Sequence, residues 1–109
     1  MTIMTIMKNE VTIDLFDKCG STPFVADGDM GRALRMFTVR PLLDLGTDTV
    51  IIDCSRIENM TDSFANAFFG PLVLDDVPSG RIKFKGCSPL VKSFVMSAGN
   101  IEQRRRERA

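Results

Sequence analysis

The chain has 109 residues, 44% hydrophobic and 26% charged, with 14 basic side chains against 14 acidic ones and no histidine. That balance suits one folded domain over residues 1–109 and excludes a disordered chain. No apolar run approaches the roughly 20 residues needed to cross a bilayer, so no membrane role is expected. The missing histidines exclude Ser-His-Asp and Cys-His nucleophile systems within the chain, and no carboxylate or lysine pair replaces them, so no enzymatic activity is expected.

The opening MTIMTIMKNE lacks a basic region followed by an apolar core, so no secretory signal is expected and the chain reads as cytoplasmic. Ile3, Thr5 and Met7 alternate in strand fashion, and Val11, Ile13 and Leu15 repeat the period. With Lys8-Asn9-Glu10 as a turn, residues 1–17 read as an antiparallel β-pair, residues 1–9 being its first strand or an extension. A short strand is expected at residues 23–25, within the turn-rich GSTPFVADGD, and Asp27 or Asp29 can cap the next helix.

That helix begins at Met30, and Ala33, Leu34, Phe37, Leu42 and Leu45 form its apolar face. Pro41 should kink or end it near Val39, because proline lacks an N–H and crowds the preceding turn. Arg32 and Arg35 of GRALR read as solvated helix residues, since no GxGxxG or GKS/T phosphate loop accompanies Gly31-Arg32.

TVIIDCS reads as the central strand, buried on both faces of a parallel sheet. Cys54, at its end, is a small core residue. With Cys19 and Cys87 it forms no CxxC pair, so neither a metal site, a cofactor nor a disulfide framework is expected. Thr61 or Asp62 can cap the following helix, which places Ser63 in its first turn and Phe64, Phe68 and Leu72 on its core face. Gly70-Pro71 should stop that helix, leaving VLDDVPSG as a loop. RIKFKG is a short strand, and Ser88-Pro89 opens a last helix with Leu90, Val91, Phe94, Val95 and Ala98 inward and Gly99 as a weak point. Residues 102–109 are its basic end or a tail, whose arginines favour the helix C-terminus and stay solvated. Nucleic acid is disfavoured as a partner, because no aromatic platform or second basic patch supports it.

The order strand, strand, helix, strand, helix, strand, helix gives an α/β fold: a small mixed, mostly parallel sheet with an antiparallel N-terminal hairpin and about three helices. In such sheets sites collect at the carboxyl ends of strands. Here that region runs from Asp53 to Ser63, where the helix offers free N–H groups and a partial positive charge suited to a phosphate or another anion. Capping alone would also explain its hydroxyls and carboxylates.

The stretch IIDCSRIENMTDSFANAFFG, with GRALRM before it and RIKFKGCSPLVKSF after it, resembles the STAS domains of sulphate transporters and anti-sigma factor antagonists, and in particular a STAS-like family of unknown function. The resemblance spans about residues 10–106. It implies a non-catalytic regulatory module that binds a GHKL-type ATPase or anti-sigma-like kinase, with Ser63 at the phospho-acceptor position. Thr61 stands where antagonists carry an aspartate, Asp62 replaces a Ser or Thr, and Phe64 replaces a glycine. Asn66 and Ala67 stand where the STAS-like family commonly has acidic residues. The expected partner or anion surface comprises Asp53, Ser55, Thr61, Asp62, Ser63 and Asn66. The alternative is a small-ligand or anion sensor using the same helix end, and a homodimer through the first hairpin is left open.

Overall fold

A computed structural model describes residues 9–108. Three strands form one parallel sheet in the order β1-β3-β5: β1 (Glu10–Asp14), β3 (Thr49–Asp53) and β5 (Ile82–Lys85). A parallel pair, β2 (Phe24–Val25) with β4 (Asn59–Met60), lies beside the path into the helices. TVIID is the middle strand, as its unbroken apolar run requires, with Val50 and Ile52 fully buried. Every described strand pairing is parallel. The first strand of the expected N-terminal hairpin falls outside the described residues.

Four differences from the sequence reading have local causes. The strand through Val11 and Ile13 stops at Asp14, whose side chain caps a single helical turn, α1 (Leu15–Lys18), by accepting from Phe16 N at 3.1 Å. Leu15 is buried in that turn rather than in a strand.

The second difference concerns Pro41. The helical path from α2 (Gly28–Leu34) is not ended there but passes through a π-turn, Arg35–Val39, into α3 (Arg40–Asp44). Arg40 N donates to Arg35 O across that wider turn, which relieves the crowding a proline ring imposes on the turn before it. The extra residue also rotates the apolar face. Gly31, Leu34, Val39 and Leu43 are buried at steps of three, five and four, whereas Phe37 and Leu45 are 76% and 85% exposed.

Third, the helix after β4 does not stop at Gly70. It runs on as α4 (Asp62–Asp75), so the start of VLDDVPSG is helical. Proline at 71 leaves the carbonyl four residues earlier, on Ala67, without its helical donor. Arg35 Nε supplies one from the neighbouring helix at 2.8 Å. The expected helix end is thus cancelled by a side chain 32 positions away in sequence.

The last difference lies in α5 (Pro89–Glu107), capped by Ser88 as expected, where Val91, Val95 and Ala98 are buried but Leu90 is exposed. Gly99 packs tightly against α4, since a Cβ there would lie 2.6 Å from Val73 Cγ1. Between α4 and the sheet, Phe64, Phe68, Phe69 and Leu72 are fully buried. Phe68 and Phe69 meet edge to face at 4.8 Å, and Phe69 meets Phe84 of β5 at 5.4 Å.

Candidate functional site

The carboxyl end of β3 carries Asp53 and Ser55. Ser55 donates both its backbone N–H, at 3.0 Å, and its hydroxyl to Asp53 Oδ1. Those bonds, the hydroxyl's first, hold the Asp53 carboxyl below the usual carboxylate range. Ser55 is also pressed against β5's exit. Gly86 sits there at φ +70°, and a Cβ on it would fall 2.0 Å from Ser55 Oγ. Next to them, Arg56 pairs with Asp14 and, at 2.8 Å, with Asp17, while its guanidinium stacks 4.3 Å over the Phe16 ring. This polar set satisfies itself.

The start of α4 is different. Thr61 is the cap of the two candidates: its Oγ1 accepts from Phe64 N at 3.2 Å and donates to Ala26 O at 2.7 Å, tying the helix to the end of β2. Asp62 and Ser63 are exposed in the first turn, where helix geometry leaves the amides without intrahelical acceptors. A Cβ on Gly28 would lie 3.1 Å from Ser63 O, one on Gly31 would lie 3.1 Å from Phe64 O, and Arg35 reaches Ala67. The α2 path and α4 therefore run alongside in the same direction, so Arg32, one turn beyond Gly28, is carried along the Ser63 side of α4.

Between this path, α4 and the second half of α5 opens a groove of about 710 Å³. Arg32 and Arg35 line one side, Ser63 and Asn66 the next, and Glu102 and Arg105 the third. Its carboxylate is already claimed. Glu102 takes Arg105 at 2.8 Å and Arg106 at 2.9 Å; burial opposes its charge, but the two arginines outweigh that and lower its pKa. Arg106 also bridges to Asp75 at 2.6 Å. Ion pairs among the described residues engage Arg40, Arg56, Arg105 and Arg106, and Arg32 and Arg35 are not among them. Burial lowers the Arg35 pKa, Glu102 works against this, and the nearby cations Arg32, Arg40 and Arg105 lower it further.

A family model described as a STAS-like domain of unknown function matches residues 33–92, a narrower span than residues 10–106. The chain belongs to this family. No curated protein and no solved structure matches it significantly.

Within this STAS-like domain, the six residues read from the sequence fall into separate settings. Ser63 and Asn66 share the groove, Asp62 and Thr61 form the first turn and its cap, and Asp53 and Ser55 belong to the closed set at the end of β3. Arg32, Arg35 and Arg105 are the groove residues that the sequence reading treated as solvated helix arginines. The signal for the first two is GRALR, with two arginines three apart on one helix.

The cysteines also meet where spacing gave no warning. The buried Cys54 thiol donates to Ile52 O at 4.0 Å and lies beside that of Cys87. The interaction of the two thiols lowers Cys87 to about 7, with Lys92 helping against burial, and pushes Cys54 up. Among the described residues, no three Cys, Asp or Glu side chains cluster as a metal would need.

Proposed function

We propose that this STAS-like domain is a non-catalytic regulatory module in a cytoplasmic setting that binds a protein partner through the exposed first turns of α4. By analogy with anti-sigma factor antagonists, the partner is a GHKL-type ATPase or anti-sigma-like kinase. The partner transfers the γ-phosphoryl group of its ATP to Ser63 Oγ, which gives up its proton, and ADP leaves. The observation that carries this reading is the setting of Ser63: exposed, in the first turn of a 14-residue helix, at the edge of an open groove. A phosphate there adds roughly −1.5 to −2 charge beside the exposed Asp62 carboxylate, at the rim of the arginine-lined groove.

The test incubates the chain with the purified ATPase and ATP, followed by fragmentation of the peptide spanning residues 57–81. One phosphate on Ser63, with partner binding altered in Ser63→Asp, supports the reading. An unmodified peptide together with unchanged binding of Ser63→Asp removes it. A second reading, an anion-sensing domain, is favoured by the two arginines that lack a carboxylate partner.

A further inference from the structure

We propose that the groove between α2, α4 and α5 is a phosphate-monoester site in which Arg32 and Arg35, backed by Arg105, hold the dianion beside Ser63 and Asn66. The groove presents three guanidinium groups against one carboxylate, and that carboxylate is already shared by Arg105 and Arg106. Arg35 is held at the groove wall because its Nε is bonded to Ala67 O, while its two terminal nitrogens make no hydrogen bond among the described residues. A positioned guanidinium fork matches two oxygens of a phosphate at once, and fixing it beforehand removes part of the ordering cost. Crowding of Arg35 by Arg32, Arg40 and Arg105 is the condition that a dianion relieves. The volume, about 710 Å³, falls within the range of roughly 300–1,000 Å³ of pockets that hold small ligands.

The phosphate can come from two sources. It can be esterified to Ser63 itself, one helical turn from Arg32 across the Gly28 contact, or it can belong to a free nucleotide. The first source rests on the proposed phosphorylation of Ser63; the second does not. In the first case the modification does more than repel a partner, because the chain's own arginines take the phosphate and close the groove.

Two arms test the site and separate the sources. In one, the isotopically labelled full chain is titrated with adenosine monophosphate and with inorganic phosphate at fixed ionic strength. A free-ligand site gives saturable amide shifts at Arg32, Arg35, Asn66 and Ala67, and Arg32→Gln weakens binding about tenfold. In the other, phosphoserine is installed at position 63 during translation and its phosphorus resonance is titrated. Capture by the groove holds its second pKa below the usual value of about 6 and returns it there in Arg32→Gln, while adenosine monophosphate no longer shifts the groove amides. Absence of saturable shifts, together with a phosphorus titration indifferent to Arg32, overturns the site. Because no kinase is used, a partner that never modifies Ser63 leaves this result readable. A partner that does modify it, combined with both negative results, sinks the groove alone.

Discussion

Two polar regions lie near the start of α4, and they differ in whether their groups have found partners. At the end of β3, Asp53 accepts twice from Ser55, and Arg56 is held by Asp14, Asp17 and the face of Phe16. Along α4, Arg32 and Arg35 face an open groove outside every ion pair of the described residues. Both regions carry charge, and both were plausible sites by residue type. The first is architecture, since its groups are mutually satisfied and a ligand would have to break bonds to enter. The second carries two cations that folding has left outside any ion pair, and so it can gain from a partner.

The largest expected effect breaks the closed region. Gly86→Ala forces a Cβ into a left-handed backbone position, 2.0 Å from Ser55 Oγ and 2.9 Å from Ser55 Cα. It should lower stability by about 2–4 kcal/mol in denaturant unfolding. If the variant unfolds like the parent, the packing of Ser55 on Gly86 is not what fixes that end of the sheet. A smaller loss, about 1 kcal/mol, is expected for Thr61→Ala, which removes a helix cap and the link to Ala26 O together. Thermal melts will show whether this loss is shared with phosphate binding. The comparison requires that it is not, because Thr61 already has both of its partners.

How far the sequence reached follows from the range over which each residue's effect acts. The strand TVIID, the Phe64, Phe68 and Leu72 face and the caps at Asp27 and Ser88 were legible because period and capping are local rules. Phe37 fits the core only at a constant helical period, which the π-turn breaks. The step of five from Leu34 to Val39 was present in the sequence, but it stands out only once Pro41 is seen to need room. Pro71 reads as a helix end because the missing N–H is a local feature, whereas the guanidinium that replaces it comes from another helix. Ser63 and Asn66 were found from their place on a helix, whereas the arginines opposite them depend on how α2 and α5 pack around α4, which no local pattern encodes.

Arg35 belongs to both sides of the comparison, and a double-mutant cycle separates its roles. Arg35→Gln in the parent leaves Ala67 O without its donor and should cost about 1 kcal/mol. In a Pro71→Ala background the helix supplies that donor itself, so most of the loss should vanish, with a coupling near that size in chemical denaturation. Phosphate binding should fall in both backgrounds. Equal stability losses in the two backgrounds would mean that Arg35 does not compensate for the proline.

The smallest effect is the sharpest contrast. Arg32→Gln removes an exposed cation that has no carboxylate partner and has like-charged neighbours, so stability should stay within about 0.5 kcal/mol at every pH. Arg56→Gln removes the cation that holds the Asp14 carboxyl below its ordinary range, the Arg56 hydrogen bond being the main cause. A carboxyl whose folded pKa is depressed adds stability above the unfolded carboxylate range and loses it as pH falls through the depressed value. The melting temperature of Arg56→Gln should therefore lie below the parent's near pH 7 and converge with it as Asp14 protonates below about pH 4. If instead Arg32→Gln shows the pH-dependent loss, Arg32 has a carboxylate partner in the folded chain, and the groove is as closed as the end of β3.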